Sequence, residues 1–276
     1  MIKFSIITTS ILNIKSVDKF FKSLSIQRFN NFELIFIDQY NYNQKHKLKK
    51  YNINNIKYIK IKKSSLSSAR NIGLGHAKGE YFFFIDDDCF FDELFLQKIN
   101  NRLKKDIYLL GFTIMNRNEN IIVKKFNKKQ FKYNYEIIRH LCSSNFVIKK
   151  NRLKFDELLG VGSKSLAQSG EDTDYLLNNF KNRKYIYDEK ISIFHPKPSN
   201  NKNYKKIFLY SIGQSVVLFK NKHYFIFLIS IIKNLFSLIL QPKLSNLIYF
   251  LGKLIGILYY FLAWIRINTN YLEHIK

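Results

Sequence analysis

The chain has 276 residues, of which 46 are Lys or Arg and only 20 are Asp or Glu, so its formal net charge is +26. An apolar content of 46% excludes intrinsic disorder for most of the chain and gives room for one large domain or two small ones. The charge indicates an anionic partner (nucleic acid, an acidic membrane surface or a phosphorylated ligand), although the coding bias of an AT-rich genome also produces such a composition.

Cysteine usage and the amino terminus both favour a reducing, cytosolic compartment. Cys89 and Cys142 are far apart in the sequence and form neither a zinc spacing nor a disulfide framework. The opening Met1-Ile2-Lys3-Phe4 leads straight into a strand pattern, without the apolar stretch and cleavage site of a signal peptide. We therefore expect no export.

The first 105 residues alternate strand and helix patterns. Short apolar or β-branched runs predict strands at Phe4–Thr9, Phe32–Ile37, Ile56–Ile61 and Tyr81–Ile85. Helical spacing predicts helices at Val17–Gln27, capped by Ser16, at Ser65–His76 and at Asp92–Leu103. Such alternation produces a parallel sheet with helices on both faces, in which ligands bind beyond the carboxyl ends of the strands.

Between residues 106 and 203 the pattern is looser. It predicts a hairpin and three further short strands, at Ile107–Ile114, Asn120–Lys124, Asn145–Ile148, Tyr185–Tyr187 and Ile191–Phe194. A Gly/Ser-rich stretch leads to Glu171, and a helix is predicted over Leu176–Phe180. Pro196 and Pro198 open a polar segment that reads as a domain boundary.

Two long apolar stretches, Tyr224–Leu240 and Leu247–Ile265, dominate the carboxyl-terminal part. Each approaches the roughly 20 residues that cross a bilayer, yet each carries a central Lys, which costs about 2.5 to 3.5 kcal/mol at the midplane. Positive residues flank them: Lys222, Lys243 and Arg266. We favour helices embedded in, or lying on, the cytoplasmic face of a membrane, with true spanning helices or a buried helical cap as the alternatives.

Three consecutive carboxylates, Asp86, Asp87 and Asp88, follow the apolar run Tyr81–Ile85. Adjacent like charges resist desolvation, so this position calls for a cation, unless it is a solvated acidic turn. In an extended chain residues i and i+2 project to one side, so Asp86 and Asp88 can converge on an ion. Oxygen ligands suit Mg²⁺ or Mn²⁺, whereas an EF-hand calcium loop is excluded because Phe91 stands where that loop needs Gly.

Other candidate residues carry weaker signals. Arg70 and Asn71 lie on the helix before the carboxylate strand, where a guanidinium could pair with a phosphate or with an aspartate. Glu171 and Asp172 start a helix after a Gly/Ser-rich loop, and His195 ends a strand. Taken singly, these are typical of a surface arginine, an acidic first helical turn and a packed histidine.

Together these motifs resemble those of the family 2 glycosyltransferases, inverting enzymes with the nucleotide-sugar-binding GT-A fold. The resemblance covers roughly residues 2–200 and five motifs in order: Phe4–Thr9, Leu34–Asp38, Ser67–Gly73, the aspartate triplet as the DxD motif, and Gly170–Asp172 as the acidic catalytic motif. It implies an α/β GT-A (Rossmann-like) domain at 1–203, with a mostly parallel sheet flanked by helices, a nucleotide-sugar half at 1–105 and an acceptor half at 106–203. A helical, membrane-associated region would follow at 204–276.

The resemblance also implies roles by position. Contacts to the nucleotide sugar would come from Thr8, Thr9, Asp38, Arg70, Asn71, Asp86 and Asp87. Asp88 would ligate the metal, with Asp86 and His195 as further ligands, and Asp172 would be the general base next to Glu171. Two departures, Gln39 in place of a second acid and Thr8 in place of a Pro, affect the nucleoside contacts and not the chemistry.

The implied activity is transfer of a hexose from a nucleotide-diphospho-sugar, expected to be a UDP-sugar, to a hydroxyl of a glycan or lipid-linked glycan. The expected place is the cytoplasmic side of the cell membrane, in bacterial surface-polysaccharide assembly. Two other classes stay open: a catalytically silent GT-A scaffold and a basic nucleic-acid-binding protein. Because nucleic-acid binding leaves the acidic triplet unexplained, we expect no nucleic-acid partner.

Overall fold

The computed structural model describes residues 2–116, 121–124, 126, 128–132, 134–179, 183–196 and 203–264. These residues form two compact units. The first lies within Met1–Ser64, Ala69–Lys154 and Asn178–Pro198, and the second within Ser65–Ser68, Phe155–Leu177 and Ser199–Lys276. Most of the segment predicted as a domain boundary, residues 197–202, lies outside the described residues.

An eight-stranded sheet forms the centre of the first unit. In chain order its strands are β1 Phe4–Ser10, β2 Phe32–Asp38, β3 Ile56–Lys60, β4 Tyr81–Phe84, β5 Ile107–Asn116, β6 Ile121–Lys124, β7 Phe146–Lys149 and β8 Lys184–Phe194. Their order in space is β3-β2-β1-β4-β7-β5-β6, with β8 also paired to β5. Strands β1 to β4 are parallel, as is the β5–β8 pair, whereas β7 runs antiparallel to both β4 and β5. The predicted α/β sheet is confirmed.

The described helices are α1 Asp18–Ser25, α2 Leu66–His76, α3 Phe95–Arg102, α4 Asn134–His140, α5 Glu171–Asn179, α6 Tyr204–Lys220, α7 Tyr224–Leu240 and α8 Leu244–Tyr259. Helix α1 begins later than predicted, and Val17, not Ser16, occupies its N-cap position. Helix α3 also begins late, because the Asp92 side chain accepts a hydrogen bond from the backbone N of Leu94 (3.0 Å) and forms a turn. Helix α5 begins at Glu171, the residue predicted to start it.

Strand β8 is one strand where the sequence predicts two. Its pairing with β5 shifts between Phe112, opposite Asp188, and Thr113, opposite Ser192. The Asp188 carboxylate accepts a hydrogen bond from the backbone N of Lys190 (3.0 Å), so these polar residues form a bulge that keeps the ladder intact on both sides. This bulge lies where the sequence predicts a gap between two separate strands.

Aromatic side chains fill the core beside β4 and β5. Phe83, Phe95 and Phe112 are fully buried, and their ring centroids lie 5.4 to 5.8 Å apart. Such contacts add to the free energy gained from burial, so part of the high aromatic content of the chain serves its core. The rigid sheet places the ends of β1, β2 and β4 side by side, with Ser10 opposite Asp38 in the β1–β2 pair.

The carboxyl-terminal helices are apolar, as predicted, and α7 has the predicted bounds. Among the described helices, the stretch Leu244–Leu262, which joins α8 to a short π-helical turn, is long and apolar enough to cross a membrane, with a mean hydropathy of 1.4. Helix α7 is shorter than such a span. An association of these helices with a membrane stays a prediction.

Candidate active site

The three consecutive aspartates each face a different part of the first unit. A guanidinium nitrogen of Arg70 lies 3.1 Å from Asp86 Oδ1, and Nε2 of His195 lies 3.4 Å from Asp88 Oδ1. Asp87 shares a side-chain hydrogen bond with Ser10 at the end of β1. Each of the adjacent carboxylates thus has a polar partner of its own, from α2, β1 or the end of β8.

Arg70 is buried, unlike a typical helical arginine, with its side chain 4% exposed. Besides Asp86 it donates a hydrogen bond to Ser143 Oγ (2.9 Å), and Ser144 Oγ accepts one from the backbone N of Asp86 (3.1 Å). These two serines belong to the short 3₁₀ helix Ser143–Asn145 before β7. Arg70 and the serines therefore fix both the backbone and the side chain of Asp86.

His195 is carried to the aspartates by strand pairing. Phe90 and Phe194 form an antiparallel bridge, and their rings stack with centroids 5.4 Å apart. Nδ1 of His195 lies 2.7 Å from the carbonyl of Pro196, which can only accept, so this nitrogen carries the proton. The other ring nitrogen, Nε2, faces the Asp88 carboxylate.

The donor set fits a divalent cation. One ligand atom each of Asp86, Cys89 and His195 lies within 4.8 Å of the others. Burial raises the pKa of the Cys89 thiol well above its usual value, and the nearby aspartates raise it further. Apart from this thiol, the nearby groups are carboxylate oxygens and one imidazole, which suit Mg²⁺ or Mn²⁺.

Two of the three carboxylates, those of Asp87 and Asp88, have raised pKa values. Burial, reinforced by Asp88 and Asp86, raises the pKa of Asp87 to about 6, although its hydrogen bond with Ser10 acts in the opposite direction. Burial also raises the pKa of Asp88, against the effect of His195. Desolvated neighbouring carboxylates are stabilised by a cation, so this edge of the sheet is a candidate functional site on electrostatic grounds.

The predicted nucleoside contacts lie at the ends of β1 and β2. Thr8 is fully buried, and its hydroxyl makes no hydrogen bond within the described chain; Thr9 is half-buried. Asp38 is also fully buried and accepts hydrogen bonds from the Tyr58 hydroxyl (2.5 Å) and the backbone N of Tyr40 (2.8 Å). Burial and the bond to Asp38 raise the pKa of Tyr58 to about 12. Asp38 thus holds the loop after β2, and its contact with a base stays a prediction.

Gln39 and Asn71 complete this part of the site. Gln39 is buried, and its side-chain oxygen accepts a hydrogen bond from the backbone N of Ser64 (2.7 Å), so this side chain holds the segment before α2. Asn71 follows Arg70 on α2 and is half-buried. The structure leaves the predicted binding role of Asn71 untested.

The second unit contains the predicted catalytic pair, at the first turn of α5. Glu171 is buried and packs against Gly160, where an added Cβ would lie 2.9 Å from the Glu171 carboxyl carbon. Asp172 is half-buried and accepts a hydrogen bond from the backbone N of Thr173 (2.7 Å). Gly170, at φ +92°, makes the sharp approach to the helix. Of the two acids, Asp172 is the more accessible, as a general base must be.

Sequence reasoning missed four residues that contact the aspartates or lie among them: Ser10, Cys89, Ser143 and Ser144. Ser143 and Ser144 approach Asp86 only because β7 runs antiparallel to β4, with Phe83 opposite Val147. Local patterns predict β7 but give no sign of its neighbour or direction. Cys89 directly follows the triplet, and that adjacency is the signal by which it could have been found.

Comparisons with known proteins agree with this architecture. The model of the family described as "Glycosyl transferase family 2" matches residues 5–155. The "Minor teichoic acid biosynthesis protein GgaB" of Bacillus subtilis (strain 168) is 32% identical over 123 residues, which are 40% of this chain and 13% of GgaB. This chain therefore corresponds to a small part of that relative's length.

Solved structures of S. aureus TarS share the fold. The structure of TarS 1–349 in complex with UDP-GlcNAc aligns with a TM-score of 0.64 and 18% identity, covering 94% of this chain and 81% of that one. A structure of TarS with a TM-score of 0.59 and 19% identity covers 78% of this chain, which spans 42% of that one. More than half of the chain lies within the family model. The chain belongs to glycosyl transferase family 2.

Proposed function

We propose that the chain is an inverting glycosyltransferase of the GT-A type. It would move a sugar from a nucleotide-diphospho-sugar, with a UDP-sugar as the first candidate, to a hydroxyl of a glycan or lipid-linked glycan. The observation that carries the proposal is that Asp86 and Asp88, which follow β4, each lie near His195 at the end of β8. Family membership and the crystallisation of TarS with UDP-GlcNAc support the donor class.

Asp88, Asp86 and His195 would hold Mg²⁺ or Mn²⁺. When bound there, the cation neutralises the charge that develops on the diphosphate leaving group. Arg70 fixes the carboxylate of Asp86, and the Pro196 carbonyl keeps the proton of His195 on Nδ1. The unpaired hydroxyl of buried Thr8 offers a hydrogen bond to the donor at the end of β1.

Asp172 is the proposed general base. Its half-exposed carboxylate at the start of α5 would remove the proton from the acceptor hydroxyl as that oxygen attacks the anomeric carbon from the face opposite the leaving group. One base suffices for a single displacement, so the product has the inverted configuration. Buried Glu171 would support the turn by packing on Gly160. We also propose that residues 1–105 form the nucleotide-sugar half of the domain and residues 106–203 the acceptor half.

The proposed location is the cytoplasmic side of the cell membrane, with residues 204–276 as a peripheral or monotopic anchor. A stripe of exposed apolar side chains follows one face of α7: Phe225, Leu228, Ile232, Phe236 and Ile239. Such a stripe, with a net charge of +26, fits the boundary of an anionic bilayer. The name of GgaB, a minor teichoic acid biosynthesis protein, supports a cell-surface polysaccharide as the acceptor.

A panel of nucleotide sugars tests the activity. With Mn²⁺ present, at least one donor should raise the unfolding temperature and be slowly hydrolysed to the nucleotide diphosphate, and EDTA should remove both effects. Stabilisation without any turnover would favour the silent scaffold. No response to any donor, together with micromolar, salt-sensitive binding of nucleic acid, would favour the nucleic-acid-binding class.

Phe236→Glu tests the membrane anchor. Phe236 is 60% exposed in the middle of the α7 stripe, so the change should leave the fold intact and weaken sedimentation with phosphatidylglycerol vesicles about tenfold or more. The control is Tyr42→Glu, at a 73% exposed aromatic residue of the first unit, which should sediment like the unaltered protein. Equal sedimentation of Phe236→Glu and the unaltered protein would contradict the anchor.

A further inference from the structure

Within the second unit, α6 packs against the segment that leads into α5. Ser169 Oγ donates a hydrogen bond to the carbonyl of Tyr210 (2.7 Å). The backbones approach so closely that a Cβ added at Gly213 would lie 2.5 Å from the Ser169 carbonyl oxygen, and one at Gly170 would lie 2.6 Å from Val217. This face of α6 therefore packs closely against the residues immediately before Glu171.

The other face of α6 packs against α8. Ser215 Oγ donates a hydrogen bond to the carbonyl of Lys253 (3.1 Å), and a Cβ added at Gly252 would lie 2.0 Å from Ser211 Oγ. A Cβ added at Gly256 would lie 2.7 Å from Ser215. Helix α6 is thus packed closely on two sides, so the residues at its end are held by a rigid element.

Lys220, at the last turn of α6, joins that support to α5. Its Nζ lies 2.6 Å from Asp156 Oδ2 and 2.8 Å from Asp174 Oδ2, and the Asn221 amide donates to Asp174 Oδ1 (2.8 Å). Asp174 is 2% exposed, so both oxygens of a buried carboxylate are held by the end of α6. Although burial opposes it, the two aspartates raise the pKa of Lys220 and keep the ammonium charged.

Asp174 and Asp172 share the first turn of α5. At 3.6 residues per turn their side chains leave the helix about 200° apart, so a contact that fixes one also fixes the direction of the other. The backbone N of Asp174 also donates to the carbonyl of Gly170 (2.9 Å), which ties the turn to the loop before it. A rotation of α5 about its axis would therefore break the contacts of Asp174 before it could redirect Asp172.

We propose that Lys220 is a positioning residue for the transfer reaction: its ion pairs with Asp174 and Asp156 set the rotation of α5 and thereby the direction of the Asp172 carboxylate. The inference rests on the proposed role of Asp172 as base. Misplacement of a reacting group by about 1 Å costs roughly 10²-fold in rate. Loss of the Lys220 charge should therefore lower kcat and leave donor binding unchanged, because the residues proposed to bind the donor belong to the other unit.

Steady-state transfer by the full chain is the first test. Lys220→Met should lower kcat about ten- to a hundredfold with a donor KM within twofold of the original, and Lys220→Arg, which keeps the charge, should recover most of the rate. Lys205→Met, at an exposed position of the same helix, is the matched control and should have no effect. An unchanged kcat in Lys220→Met, or a parallel loss in Lys220→Arg and Lys205→Met, would overturn the proposal.

Hydrogen exchange of the backbone amides 172–176 is the second test and needs no activity. Lys220→Met should exchange there at least tenfold faster, with the amides of β1 and β4 unchanged, and the milder Asp156→Asn should show a smaller effect in the same place. Faster exchange throughout the chain, or an unchanged exchange rate in α5, would overturn the positioning role. Absence of transfer by the unaltered protein would instead remove the base role of Asp172. The hydrogen-exchange measurement would still decide whether Lys220 holds α5.

Discussion

Asp172→Asn is expected to lower the rate of sugar transfer by about 10² to 10⁴-fold, the usual contribution of a positioned base. The amide has the size of the carboxylate, and its oxygen can still accept the hydrogen bond from the backbone N of Thr173, so the first turn of α5 should keep its shape. An amide cannot take the proton of the acceptor hydroxyl. The measurement is kcat at saturating donor and acceptor, with the donor dissociation constant obtained separately by calorimetry.

A surface carboxylate provides the control for this substitution. Asp106 and Lys184, both in the first unit, form an exposed ion pair. Asp106→Asn should therefore transfer sugar at the original rate. Donor affinity should be the same in all three proteins. Turnover of Asp172→Asn within threefold of the unaltered protein would remove Asp172 from the mechanism, and the buried neighbour Glu171 would then be the next residue to replace.

Asp88→Ala should weaken donor binding in the presence of Mn²⁺ by about a hundredfold or more. Loss of a residue that only orients a metal ligand already costs 10- to 100-fold in metal affinity, and a direct ligand should cost at least as much. The Asp88 side chain is 45% exposed, so its removal creates no cavity in the core and should leave the protein folded. Calorimetry with Mn²⁺, with Mg²⁺ and with EDTA measures the effect.

Asp92→Ala is the matched control for Asp88→Ala. Asp92 lies four residues further along the chain, and its side chain is 43% exposed and paired with Lys98. Its replacement should leave the metal dependence of donor binding intact. Donor affinity that is equally dependent on Mn²⁺ in Asp88→Ala and in the unaltered protein would refute the metal site while leaving the family assignment untouched.

Elements bounded by abrupt changes in polarity were predictable from the sequence. Strands β2 and β4 follow short apolar runs that end at Asp38 and before Asp86, and α7 has the predicted bounds because polar residues surround a long apolar stretch. Asp38 and the aspartates that follow β4 also predicted where the candidate site lies. In these cases the signal is local, since burial of one strand or one helix face determines its pattern.

The contacts that organise the site were not predictable, because they depend on pairing between distant strands. The ion pair of Arg70 with Asp86 requires a residue of α2 to reach the chain just after β4, and the hydrogen bond to Ser143 requires β7 to run antiparallel to β4. Local periodicity carries no information on either arrangement. The helix starts were misplaced for a related reason: side-chain turns such as that of Asp92 compete with the first helical turn.

The pairing of β8 with β5 has a consequence for the newly made protein. His195 follows Asp88 by about a hundred residues and reaches it only when the end of β8 bridges to Phe90. While the chain emerges from the ribosome, the β1–β4 part of the sheet can form early, but its three aspartates then lack the imidazole that we propose as a metal ligand. A chain stalled before Ile191 should therefore be folded in part yet bind a sugar nucleotide weakly, so tight donor binding is expected only after β8 has been made.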